Sequence, residues 1–270
     1  MKPMPRAGNR LARRTVTTDS EMRLNRFLAR AGLGSRRSVE TLVREGRVAI
    51  DGQTVEDLGR RVNPATQQVT LDGMPISLPE GFRVYAFHKP LDVVSTLAAQ
   101  NGQPSLLPYR LQSDIPDRFM PVGRLDSETT GLLLWTDDGE LNQALCQPRS
   151  GLWKTYEVDL NKDLAPENIR TLTQGGIEID GRPCLPCRLR LSSTGTTRQW
   201  IMEIHEGRRR QIRRMFQAVG LKVLRLHRTA IGPVRLGLLR PGDFRRLNHD
   251  EVDGLRGLLK GTAKGSRKPR

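Results

Sequence analysis

Gly123-Arg124-Leu125-Asp126-Ser127-Glu128-Thr129-Thr130-Gly131-Leu132-Leu133-Leu134-Trp135-Thr136-Asp137-Asp138-Gly139 is a polar loop followed by an apolar run and a turn. Residues 122–126 lead into 132–136, a short apolar run that closes at Asp137-Asp138-Gly139. Bounded by turn signals, such a run reads as a strand. An Asp before a Ser in the preceding loop, taken alone, is a turn former.

On both sides of this stretch the residues alternate. Residues 83–88 are strand-like and run into Lys89-Pro90. Tyr156, Val158 and Leu160 alternate with Thr155, Glu157 and Asp159, the pattern of a half-buried strand, and Trp200, Met202 and Ile204 repeat it. Ile212, Met215, Phe216 and Val219 recur at i, i+3, i+4 and i+7, which predicts a helix over 211–219. Asn248 and Glu251 have the spacing of a capping box before a short final helix.

Upstream, Leu24, Phe27, Leu28 and Ala31 form the apolar face of a first helix that Gly32 stops. Ser35 is placed to cap a second helix, which turns Val39, Leu42 and Val43 inward and ends at Gly46. The strand Val48–Ile50 then reaches Asp51-Gly52, a hairpin signal. Residues 78–81 read as a linker, and no internal repeat occurs. The predicted organisation is α+β. A flexible basic arm covers 1–21, a small helical-plus-hairpin module 22–79, a larger mixed, antiparallel-sheet domain 82–259, and a basic tail 260–270.

The 270 residues suit about two domains. Hydrophobic residues make up 36%, enough to form a core. The formal charge is +16. Residues 1–21 carry five basic and two acidic residues and 260–270 carry five basic and none acidic, so 22–259 retain +8. A body this basic attracts a polyanion, and nucleic acid is the default partner. Aromatics are only 4%, which argues against base-stacking platforms as the main binding device.

No apolar run is long enough to span a membrane, and the basic N-terminus lacks the apolar core of a secretory signal. Three cysteines do not form a disulfide framework, so the expectation is a soluble, cytoplasmic protein. No phosphate-binding glycine-rich loop or dinucleotide fingerprint is present. His205-Glu206 lacks the second histidine of a zinc protease, and Cys184-Leu185-Pro186-Cys187 is a lone pair where zinc needs four ligands. Neither a metal nor a cofactor is expected.

Arg23-Leu24-Asn25-Arg26-Phe27-Leu28-Ala29-Arg30-Ala31-Gly32-Leu33-Gly34-Ser35-Arg36-Arg37, followed by Gly46-Arg47-Val48-Ala49-Ile50-Asp51-Gly52, resembles the RNA-binding module named after ribosomal small-subunit protein four. The resemblance implies that the two helices lie on structured RNA. Arg36 and Arg37 are read as starting the second helix, where backbone amides also attract phosphate. Arg44 follows on the same face, with Arg47 close by, and Arg23 belongs to the same set.

The segment 123–139 resembles the signature of the RsuA-type pseudouridine synthases, G-R-L-D-x-x-T-x-G-L-L-L-x-T-x-D-G. Lys154-Thr155-Tyr156-Glu157-Val158 and Glu206-Gly207-Arg208-Arg209-Arg210-Gln211-Ile212-Arg213-Arg214-Met215 match two further motifs of that family in the same order. The resemblance implies that Asp126 is the nucleophile attacking a uridine in ribosomal RNA, most readily of the large subunit. Tyr156 would pack on the flipped base, Arg213 would pair with Asp126, and Leu226 would wall the pocket. Arg124, Lys154, Arg210 and Arg214 would meet the RNA, and the protein would act as a monomer.

The helical phase agrees with this division. Arg210 and Arg214 project away from the apolar face of 211–219, whereas Arg213 falls on its flank. One departure stands out: the family's Lys-Pro-x-Gly is here Lys89-Pro90-Leu91-Asp92. Asp tolerates left-handed backbone, so the turn can persist. A non-catalytic RNA-binding or ribosome-assembly factor on the same scaffold is the competing reading, and Asp126, Tyr156 and Arg213 together speak against it. A glycosidase would need a second carboxylate in a matching motif, which is missing.

Overall fold

A computed structural model of the protein describes residues 21–78, 83–98, 102–147, 151–193 and 196–264. The expected basic arm (but for Glu21), the core of the linker and the end of the basic tail lie outside the described residues. The chain divides into two compact units, Met1–Pro79 and Glu80–Arg270.

The first unit packs the helices Leu24–Arg30 and Val39–Arg44 against a small sheet. Leu24, Phe27, Leu28, Val39 and Val43 meet Val48, Ile50, Val62 and Val69 in one core. Both helices end in the same way. Leu33 N–H donates to Leu28 and Arg47 N–H to Leu42, each across a left-handed glycine, Gly32 or Gly46. This six-to-one closure needs positive φ at the residue after the helix, which glycine adopts without steric penalty.

The sheet runs Gln53–Thr54, Val48–Ile50, Val69–Leu71, Met74–Ile76, all antiparallel. Asp51-Gly52 forms the expected two-residue hairpin, with φ positive at both residues, and Asp72-Gly73 repeats it. The second helix starts later than its sequence predicts. Ser35 Oγ accepts from Ser38 N–H at 3.0 Å and closes a turn, and the helix begins only at Val39. Arg36 and Arg37 therefore lie exposed in that turn and not in the helix.

The second unit is built on a nine-stranded sheet. Its order is Arg188–Leu191, Gln199–Ile204, Lys154–Leu160, Val223–Ile231, Thr129–Thr136, Val84–Lys89, Phe244–Arg246. Val234–Arg235 and Met120–Pro121 add to Val223–Ile231 and Thr129–Thr136. Every pairing is antiparallel except that of Thr129–Thr136 with Val223–Ile231. The strand Thr129–Thr136 is buried on both faces, as its continuous apolar run requires. Leu132 and Leu134 enter one core, Leu133 and Trp135 another.

A third core gathers Tyr156, Val158, Leu160, Trp200 and Met202 with Ile212, Met215 and Phe216 of the helix Gln211–Ala218. The capping box is present: Asn248 and Glu251 exchange hydrogen bonds at 2.9 and 3.1 Å at the start of His249–Lys264. Among the described residues no helix is long and apolar enough to cross a membrane.

The parallel pairing depends on Gly131, which has φ of 104° and lies so close to Arg228 that a Cβ would overlap its backbone. Gly131→Ala should therefore destabilise the protein by about 3 kcal/mol, from strain and overlap together. Urea unfolding measures this, and a loss below about 1 kcal/mol would show that the strands separate at little cost.

Candidate active site

The strands Met120–Pro121 and Thr129–Thr136 form a hairpin whose connecting loop carries Asp126. Each of the four carbonyls from Leu125 to Glu128 is held. Ser95 Oγ donates to Leu125 O at 2.7 Å and accepts from Leu125 N–H at 3.0 Å. Asp126 O accepts from Thr129 N–H at 3.0 Å. Ser127 O accepts from Asp92 N–H at 2.9 Å and from Lys89 Nζ at 3.2 Å. Glu128 O accepts from Arg213 Nη2 at 2.9 Å.

The Asp126 carboxylate is half-buried and, among the described residues, makes no hydrogen bond or ion pair. A pinned backbone under an unengaged carboxylate is what a nucleophile requires, because the reactive oxygen is aimed and its lone pairs stay available.

Lys89 is fully buried. Its ammonium donates to Pro90 O and Val93 O, both at 2.7 Å, as well as to Ser127 O. Burial pushes its pKa down to about 8, and the charges of Asp92 and Asp126 act in the opposite sense. Asp92 adopts φ of 59°, so the residue in place of the usual glycine takes the left-handed turn and its N–H serves the loop.

An open cleft of about 720 Å³ lies beside Asp126, with Tyr156, Leu226, Lys154, Arg124, Arg210 and Arg228 on its walls. Tyr156 points inward from Lys154–Leu160, and Leu226 pairs with Val158 on one side and Thr129 on the other. A bulge at Thr229 separates the pairs Thr155–Ala230 and Tyr156–Arg228. Leu226 and Arg228 share a face by strand alternation, and the bulge returns Ile231 to that cleft side.

The arginines of the helix have partners other than those expected. Arg213 does not bond Asp126. It donates to Val223 O at 2.9 Å and to Glu128 O, and its Nε lies 3.5 Å from the Glu128 carboxylate. Burial lowers its pKa, while the charges of Glu128 and Asp126 favour its charged form. The carboxylate two residues beyond Asp126 thus takes the ion pair, and Arg213 ties the loop to the strand Val223–Ile231. Arg214 does project outward, but Asp180 holds it through two 2.9 Å bonds. Arg210 pairs with Glu128 at 2.8 Å.

In the first unit Arg23, Arg36, Arg37 and Arg44 are exposed, whereas Arg47 is bound by Asp72 at 2.6 and 2.9 Å. Arg124 is exposed at the cleft. Sequence reasoning missed Ser95, the buried Lys89 and Arg228. It also missed Glu206, which accepts from Leu185 N–H and from Gln211 beneath the helix. Lys89 and Glu206 stood inside quoted family motifs and Arg228 shares the parity of Leu226, whereas Ser95 left no signal. Among the described residues no group of side chains is arranged to hold a metal, and Cys184 and Cys187 are buried free thiols.

The family model described as RNA pseudouridylate synthase matches residues 83–218, and that of the S4 domain matches 22–67. A protein of Aquifex aeolicus described as an uncharacterised RNA pseudouridine synthase is 38% identical over 234 residues, covering 86% of this chain and 92% of that one. The ribosomal large subunit pseudouridine synthase B of Bacillus subtilis is 36% identical over 239 residues, covering 87% and 96%. A crystal structure of a pseudouridylate synthase superposes with a TM-score of 0.61 at 27% identity, covering 87% of this chain and 99% of that one. With its pinned aspartate and its cleft, the chain belongs to the RsuA-type RNA pseudouridine synthases, isomerases that act on RNA.

Among the described residues, the Ser95 hydroxyl alone bonds both backbone groups of Leu125. Ser95→Ala should slow single-turnover isomerisation roughly 10- to 100-fold through misplacement of the loop, with RNA affinity unchanged. Ser95→Thr, which keeps the hydroxyl, should restore most of the rate. A fall in affinity in place of rate would give Ser95 a role in binding.

Proposed function

We propose that the chain converts a specific uridine of large-subunit ribosomal RNA to pseudouridine, with Asp126 as the nucleophile. The observation that carries the catalytic assignment is the unengaged Asp126 carboxylate in a loop whose carbonyls from Leu125 to Glu128 are held. The choice of RNA is supported by the relatives of Bacillus subtilis and Salmonella typhi, both named ribosomal large subunit pseudouridine synthase B.

In this reading the target nucleotide leaves its stack and enters the cleft, at a cost of a few kcal/mol that protein contacts offset. Asp126 attacks, the carbon–nitrogen glycosidic bond breaks, the uracil turns, and a carbon–carbon bond forms in its place as the bond to Asp126 breaks and the carboxylate is freed. The displaced carbon-bound proton is lost and the freed ring nitrogen gains one, so the composition of the RNA is unchanged. Tyr156 packs on the base, and Leu226 closes the wall behind it. Residues 22–79 hold the RNA through Arg23, Arg36, Arg37 and Arg44, and residues 82–259 carry out the chemistry. The protein works as a cytoplasmic monomer.

Asp126→Asn keeps the shape of the side chain and removes its charge and nucleophilicity, so turnover should fall to background. RNA affinity should persist, because an anion has been lost from a basic cleft. Single-turnover assays with saturating enzyme separate the two, and near-normal rates for Asp126→Asn would sink the assignment. Mapping pseudouridines in total RNA from a deletion strain identifies the target; loss confined to small-subunit or transfer RNA would refute the large-subunit reading.

A further inference from the structure

Two cations face the cleft from neighbouring strands, and among the described residues neither has a carboxylate partner. Lys154 opens the strand Lys154–Leu160, and its ammonium makes one long hydrogen bond, 3.3 Å to Leu152 O. An ammonium has three donors. Arg228 is 5% exposed. Its Nε donates to Leu132 O at 2.7 Å and its Nη1 reaches the Tyr156 hydroxyl at 3.4 Å, while Nη2 is buried without a partner. The two lie near enough that burial and the Arg228 charge push Lys154 down to about 8, against smaller opposing effects of Cys146 and Glu206.

Such an arrangement opposes folding, since a buried charged donor without an acceptor loses its hydration and gains nothing. Of the carboxylates about the cleft, Asp126 bonds neither cation, and the others are engaged elsewhere. Glu206 accepts from Leu185 N–H, Gln211 and Arg208, and Glu128 pairs with Arg210. A neutral carbonyl of an entering base would satisfy one donor and leave both charges uncompensated. A phosphate would satisfy both, because its oxygens accept from a guanidinium and an ammonium together.

We infer that Lys154 and Arg228 form a receptor for the phosphate joined to the nucleotide that enters the cleft. The inference rests on the reading that the target uridine is converted in this cleft. Because Nη1 of the same guanidinium reaches Tyr156, one rigid group couples the phosphate contact to the tyrosine beside the base.

The test titrates the full-length protein with uridine 5′-monophosphate, uridine 3′-monophosphate and uridine, by calorimetry or NMR. One monophosphate should bind on the order of tenfold more tightly than uridine, and inorganic phosphate should compete with it. Lys154→Gln and Arg228→Gln should each remove the preference at unchanged fold by circular dichroism, and Lys154→Arg should keep it. Equal affinity for monophosphates and uridine, no detectable monophosphate binding, or a preference that survives both glutamine variants would overturn the receptor. Asp126→Asn separates the two readings. If that variant loses turnover while the wild type shows no preference for monophosphates, only the receptor falls. If the preference is present and Asp126→Asn turns over normally, the catalytic assignment falls instead.

Discussion

The second unit depends on one close approach, the parallel contact of Thr129, Thr130 and Gly131 with Leu226, His227 and Arg228. It joins the strands that carry Tyr156, Leu226 and Arg228 to the strand that leaves the Asp126 loop. Backbones can come this near only where one of them has no Cβ, and Gly131 is that residue. The side chains reinforce the seam. Thr130 Oγ1 lies 2.7 Å from His227 Nδ1, and Arg228 Nε bonds Leu132 O. The cleft is therefore a property of the seam, with one wall from each side.

Around that seam the loop is fixed by groups of several origins: a serine hydroxyl, a lysine ammonium, an aspartate amide and an arginine guanidinium. All of them act on the backbone, and none engages the Asp126 carboxylate. The loop is thereby held through its backbone, which leaves the Asp126 carboxylate unengaged. Arg213 illustrates this. It spends its hydrogen bonds on two carbonyls and touches Asp126 only through its field.

Much of this was legible in the sequence, for physical reasons that differ by element. Tyr156, Val158 and Leu160 alternate because a half-buried strand has a period of two, and Gly32 and Gly46 mark helix ends because their backbone is left-handed. Asp126 stood out through its neighbours in a family motif rather than through its own pattern. Ser95 gave no sign, because a lone serine in a loop has no periodicity and its partners are backbone atoms 30 positions away. The partners of Arg213 were hidden for the same reason, as Glu128 lies 85 positions upstream. Arg36 and Arg37 were misplaced because Ser35 caps a turn first, and helix geometry starts only after it.

The strand order also has a consequence for the newborn chain. Val84–Lys89, the first strand of the sheet to be synthesised, pairs on one side with Phe244–Arg246, the last. The rings of Phe87 and Phe244 stack there at 4.4 Å. Until the final strand leaves the ribosome, the first keeps one edge unpaired and Phe87 lacks that cover. Exposed apolar edges invite pairing with other chains. This interval favours misassembly, and it lasts until residues 244–246 have been made.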